Sequence, residues 1–124
     1  MADELGATAL QAFFAIAERW SLSELEQMRI LGLTSRSTLQ HWKAQAQHQA
    51  PLQLERDTTE RISYVLGIYR AINVLLPIRQ RADAWVRAAN KAPIFGGRSA
   101  LDRMTAGNVS DLYEVRKYLD AQLV

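Results

Sequence analysis

A chain of 124 residues, 48% apolar and 23% charged with a net charge of +2, has room for one domain or for two small ones that lean on each other. A unit of roughly 50 residues buries too little surface to be robust alone, so oligomerisation is expected. The composition excludes bulk disorder, and the absence of cysteine excludes disulfides and thiolate metal sites.

Asp3 and Glu4 stand where a targeting sequence would carry Lys or Arg, and no apolar run approaches the roughly 20 residues of a membrane span. A cytoplasmic protein with no membrane partner is expected. The charge is unevenly distributed. Residues 1–50 hold four Lys/Arg and five Asp/Glu, a balance of −1, and residues 51–124 hold eleven and eight, a balance of +3. Between Gln27 and Leu54 there is no acid, while Arg29, Arg36 and Lys43 remain.

In chain order, Thr8 to Arg19 carries Leu10, Phe13, Phe14 and Ala17 at i, i+3, i+4 and i+7, one apolar stripe on a helix, with Trp20 behind it as an anchor. The run Ser21-Leu-Ser-Glu24 has capping-box spacing and predicts the start of a second helix that buries Leu22, Leu25, Met28 and Leu31. Gly32 supplies its left-handed stop. Thr34 or Ser35 caps a third helix that runs to about Gln47, with Leu39, Trp42 and Ala46 on its apolar face.

Gln45 to Leu54, Gln-rich and holding Pro51, reads as a connector. It divides the chain into residues 1–50 and 51–124. Asp57-Thr-Thr-Glu60 is a further capping arrangement, followed by Ile62, Val65, Leu66, Tyr69, Ile72, Asn73 and Leu76 at helical spacing up to Pro77. That seam suits a core, and it also suits a shared dimer interface.

A helix over roughly Ile78 to Ala89 buries Ala82, Trp85, Val86 and Ala89. The loop Asn90-Lys-Ala-Pro-Ile-Phe-Gly-Gly97 follows, in which Phe95 is either a staple into the local core or an exposed anchor. Ser99 to Asp102 repeats the cap spacing, a short helix ends at Gly107, and a last helix from Val109 turns Leu112, Val115 and Leu119 inward. The polar residues of that helix, Tyr113, Arg116, Lys117 and Tyr118, form either a solvated face or a recognition face. No segment shows strand alternation, so the expected fold class is all-α.

Helix, short turn with Gly32, and a polar third helix have the layout of a helix-turn-helix. Arg36 and Gln40 suit base edges, Ser35, Thr38 and Lys43 suit phosphates, and Ser37 and His41 share the same surface. Spacing alone leaves this face open between a DNA groove and ordinary solvent. His41 and His48 are seven apart with no carboxylate between them, which does not fit a metal pair. They also lack a nucleophile and a partner acid, so no catalytic role, cofactor, metal or small-molecule substrate is expected. Gly96-Gly97-Arg98-Ser99 lacks the lysine of a P-loop and is explained as a turn and a cap.

The stretches ERISYVLGIYRAINVLLP and ADAWVRAANKAPIFGGRSALDRMTAGNVSDLYEVRKYLDAQ resemble the toxin-binding domain of the Xre/MbcA/ParS antitoxins, the partners of RES-domain toxins. ERWSLSELEQMRILGLTSRSTLQHWK is similar to the helix-turn-helix that precedes it in that family. The resemblance implies a type II antitoxin that is not itself an enzyme. It would cover the active site of a RES-domain, NAD-consuming toxin and repress its own operon by binding operator DNA as a homodimer. It favours the DNA reading for Ser35, Arg36, Ser37, Thr38, Gln40, His41 and Lys43. The toxin-binding residues it implies are Asn90, Phe95, Gly96, Gly97, Arg98, Asp102, Arg116, Tyr118 and Asp120.

Two features depart from the family. Ala100 replaces the usual Pro after the serine, and the sequence stops at Gln122-Leu123-Val124 where many relatives continue with a short Trp- or Gly-rich tail. A stand-alone transcriptional regulator without a toxin would carry the same residues.

Overall fold

The computed structural model describes residues 2–124. Among the described residues there are seven helices: α1 (Ala2–Arg19), α2 (Glu24–Leu31), α3 (Arg36–Gln47), α4 (Arg56–Leu75), α5 (Arg79–Trp85), α6 (Ala100–Met104) and α7 (Val109–Gln122). The all-α class holds. An isolated antiparallel bridge between Ala89 and Ser99 is the extent of β pairing among them.

The α1 stripe is buried at Leu10, Phe13 and Ala17, and Trp20 is buried behind it. The helix begins earlier than its stripe, at Ala2, and Gly6 allows this because a Cβ there would meet the carbonyl of Leu52. The expected cap at Ser21 is two residues out of place. Ser21 takes a left-handed φ of 52°, its N–H bonds Glu18 O at 3.1 Å, and the N–H of Leu22 bonds Ala17 O at 2.9 Å. That Schellman closure makes Ser21 the stop of α1. Ser23 then starts α2, accepting from the Glu26 amide while the Glu26 carboxylate accepts from the Ser23 amide.

This shift rotates α2. Its inward face is Gln27, Ile30 and Leu31, Met28 is half-buried, and Leu25, expected inside, is 57% exposed. Gly32, at φ 74°, closes α2 with bonds to Arg29 O and Met28 O, as the turn requires. Ser35 caps α3, accepting from the Thr38 amide.

The α4 cap also departs from expectation. Glu55 occupies the N-cap position without a side-chain bond, and Asp57 lies in the first turn, where it pairs with Arg61 at 2.8 Å. The long seam is covered within the chain. Helix α4 packs against both α7 and α1, burying Ile62, Val65, Ile68, Ala71 and Ile72. The connector at 48–55 therefore separates two helices but not two cores. One hydrophobic cluster runs from Leu10 through Ile72 to Leu119.

Helix α5 is shorter than its sequence pattern suggests. Ala82 and Val86 are buried, but Ala89 is exposed because the chain leaves the helix after Trp85. The backbone of 86–101 is instead tied by Asn90 N to Arg98 O, Gly97 N to Asn90 O and Leu101 N to Val86 O. Helix α6 starts with the expected box between Ser99 and Asp102, ends at Met104 rather than at Gly107, and buries Ala100 and Leu101. Helix α7 turns Leu112, Val115 and Leu119 into the core.

Candidate functional site

Two surfaces gather most of the residues singled out in the sequence. The first is the outer face of α3. Arg36, Ser37, Gln40 and His41 are all exposed there, one face at helical spacing. The Arg36 side chain is 72% exposed, yet it is not free. Its Nε donates to Glu24 Oε1 at 3.1 Å, its Nη2 stands 3.0 Å from the same oxygen as an ion pair, and Gln40 Nε2 donates to Glu24 Oε2.

The remaining candidates on α3 have local duties. Ser35 accepts from the Thr38 amide and shares a 2.7 Å hydroxyl contact with Ser37. His41 approaches Gln45 at 3.4 Å. Lys43 is half-buried and turned toward α1, with Nζ 5.8 Å from the centre of the Phe14 ring. The structure therefore groups Arg36, Ser37, Gln40 and His41 and sets Lys43 at their margin.

Glu24 was missed from sequence. The acid-free stretch begins at Gln27, but the helix-turn-helix crossing carries this earlier carboxylate back onto α3. Glu26, two residues on, faces the other way. It meets Arg87, whose Nη2 also donates to the carbonyls of Trp20 and Ser21 at 3.2 and 2.8 Å. Burial alone would raise the Glu26 pKa. The Arg87 hydrogen bond, the Ser23 amide and the Arg87 charge overcome that and hold it below its ordinary 4.5.

The second surface is built around the loop after α5. Phe95, 5% exposed, stands edge-on to Trp85 at 5.9 Å and to Tyr118 at 5.3 Å between ring centres. It is a staple, and the half-buried Tyr118 supports it from α7. Arg103 fixes the same loop, donating to Ile94 O at 3.1 Å and to Asp111 at 2.8 Å. Asn90 holds the loop start by accepting from the Ala92 amide at 2.9 Å.

Of the residues singled out in the sequence, the loop presents Gly96, Gly97 and Arg98 to solvent, with Asp102 beside them at 3.9 Å from Arg98 Nε. Asp102 is held below its usual carboxylate range by the Ser99 amide and then the Ser99 hydroxyl. Arg116 and Asp120 pair at 3.1 Å on a different side of α7. The Arg116 guanidinium lies against Gly67 of α4, where a Cβ would collide with it. The nine residues of the second group thus do not form one cluster. Asn90, Phe95 to Arg98, Asp102 and Tyr118 belong to the loop and its support, and Arg116 with Asp120 to the α4–α7 seam.

Neither surface has the make-up of a metal centre. Among the described residues no three His, Cys, Asp or Glu side chains come together to hold an ion. No helix among them is long and apolar enough to cross a membrane.

Residues 2–67 match the family model described as the antitoxin Xre-like helix-turn-helix domain, and residues 73–122 match that of the antitoxin Xre/MbcA/ParS C-terminal toxin-binding domain. Over 113 residues the chain is 48% identical to a protein of Sinorhizobium fredii (strain NBRC 101917 / NGR234) that bears the name "Uncharacterized protein y4oB", a match spanning 91% of this chain and 82% of that one. A helix-turn-helix that exposes α3, joined through α4 to a loop-bearing toxin-binding domain, places this chain in the Xre/MbcA/ParS family of antitoxins.

Proposed function

We propose that this chain is the antitoxin of a type II pair in the cytoplasm. It neutralises a RES-domain, NAD-consuming toxin by covering its active site, represses its own operon as a homodimer, and catalyses nothing itself. The observation that carries the reading is the fusion, within one hydrophobic core, of an exposed helix-turn-helix face to a stapled loop of the toxin-binding domain.

Each half has physical features that suit its part. A rigid α3 with Arg36 and Gln40 outward has the width and donors for a major groove. A loop locked by Phe95 and Arg103 loses little entropy on docking, so its exposed Gly96-Gly97-Arg98 tip can be bound in the conformation it already has.

The test is a tagged pull-down from the native cytoplasm with mass spectrometry of what co-purifies. A stoichiometric RES-domain partner whose NAD consumption appears only after separation is expected. Recovery of a homo-oligomer on DNA with no protein partner would replace this reading with a stand-alone regulator.

A further inference from the structure

We propose that Glu24 is the residue that sets the sequence preference of the α3 face, by positioning Arg36 and Gln40 as a pair for neighbouring bases. The proposal rests on the DNA-binding reading above and adds to it a residue that need not touch DNA.

A guanidinium has two edges that each offer two parallel N–H groups, the side edge of Nε and Nη2 and the end edge of Nη1 and Nη2. Glu24 Oε1 occupies the side edge of Arg36, at 3.1 and 3.0 Å. The end edge has no hydrogen-bond partner among the described residues, on a side chain that is 72% exposed. Two parallel donors at that spacing match O6 and N7 of guanine.

The other carboxylate oxygen, Oε2, accepts from Gln40 Nε2. This fixes which end of the amide faces Glu24, because the reverse orientation would set oxygen against oxygen. Gln40 keeps its carbonyl oxygen and one N–H outward, the acceptor and donor that adenine requires. Arg36 and Gln40 are one helical turn apart, so a single carboxylate orders both.

Glu24 is itself well anchored. It opens α2, directly after the Ser23 cap and inside the Ser23–Glu26 box, where the helix N-terminus favours a negative charge. Its own charge adds a second effect. An unrestrained Arg36 could swing to any phosphate, whereas the carboxylate holds it back and repels the backbone, lowering affinity for arbitrary sequence.

Selection from a randomised duplex library, with wild type, E24Q, E24A and R36A in parallel, tests this. Affinity for one random-sequence duplex and thermal stability are measured on the same samples. Wild type is expected to enrich a guanine at one position per half-site. E24Q and E24A should lose about tenfold of that preference, the size of one oriented bidentate contact. They should bind the random duplex as tightly as wild type or more tightly, and should melt within a few degrees of it. R36A should lose the same position's preference.

A merely structural role for Glu24 would lower stability and both affinities together. Retention of the guanine preference by E24Q and E24A overturns the proposal while leaving DNA binding intact. A wild-type protein that enriches no sequence overturns the DNA-binding reading, and this proposal with it.

Discussion

The guanidinium of Arg61 occupies the place that a side chain on Gly32 would need, with Cζ 2.8 Å from the position of a Cβ there. Arg61 is only 8% exposed. It is held by Asp57 at 2.8 Å and donates to Ile30 O at 3.3 Å, so α4 grips the helix-turn-helix at its turn. Gly32→Ala meets both this group and a left-handed φ of 74°. It should cost at least about 1–2 kcal/mol, read as a lowered urea midpoint. A midpoint equal to wild type would mean that the turn relaxes away from α4.

Arg87 ties the C-terminal half to the corner between α1 and α2 through the carbonyls of Trp20 and Ser21 and the Glu26 carboxylate. Arg87→Ala takes a donor from these exposed and half-buried acceptors, which water can partly replace, and should destabilise the chain by about 0.5–1.5 kcal/mol. Arg87→Lys should recover only part of the loss, since one ammonium cannot reproduce a planar fork serving several oxygens. Full rescue by Lys in denaturant titrations would show that charge alone matters at this joint.

The Glu26 carboxyl is held below its ordinary 4.5 in the folded chain, the Arg87 and Ser23 bonds outweighing the upward push of burial. A folded value below the unfolded one means that stability is fully present above about pH 4.5 and drains away as pH falls through the folded value. Asp102, lowered by the Ser99 amide, adds to the same acid loss. Thermal melts from pH 7 to pH 3 should fall steeply at the acid end for wild type and less steeply for Glu26→Gln. Parallel curves would remove Glu26 from the account.

Phe95 and Arg98 are three residues apart and should behave oppositely. Phe95→Ala opens the contact with Trp85 and Tyr118 and should cost about 3–5 kcal/mol, releasing the loop. Arg98, exposed with a 3.9 Å approach to Asp102, should change stability by no more than about 0.5 kcal/mol on truncation while weakening toxin binding. Calorimetry on the co-purified complex separates the two. Unchanged toxin affinity in Arg98→Ala would move the docking surface away from the loop tip.

On the other face, Arg36→Ala should weaken operator binding by about 1–3 kcal/mol, and that binding should fall with rising salt. Lys43→Ala should instead act mainly on stability, by about 0.5–1 kcal/mol, because its ammonium stands over Phe14. A loss of roughly one unit from the salt slope in Lys43→Ala, with stability kept, would return Lys43 to the phosphate-contacting group.

Much of this was legible beforehand because helix periodicity is local. The stripes of α1, α4 and α7, the Gly32 stop, the Ser35 cap and the Ser99–Asp102 box are each properties of a few neighbouring residues, and each is where those residues put it. The errors arose where a local pattern had two solutions. Ser21 and Ser23 are both plausible caps, and the burial of Trp20 goes with the first closing α1, which rotates α2 and turns Leu25 outward. Likewise Asp57 could cap α4 or pair with Arg61, and the buried guanidinium took the pair.

The amino-acid sequence by itself determined an all-α chain, a helix-turn-helix ahead of a Pro- and Gly-bearing loop, and the antitoxin family, since these depend on residue types and spacings along the chain. The tertiary structure decided that Glu24 meets Arg36 and Gln40, that Arg87 reaches Glu26, and that Phe95 faces inward. Those partners lie 12, 16 and 61 residues apart for the polar contacts. Only the crossing of packed helices, driven by burial of one shared core, brings groups so distant along the chain within bonding range.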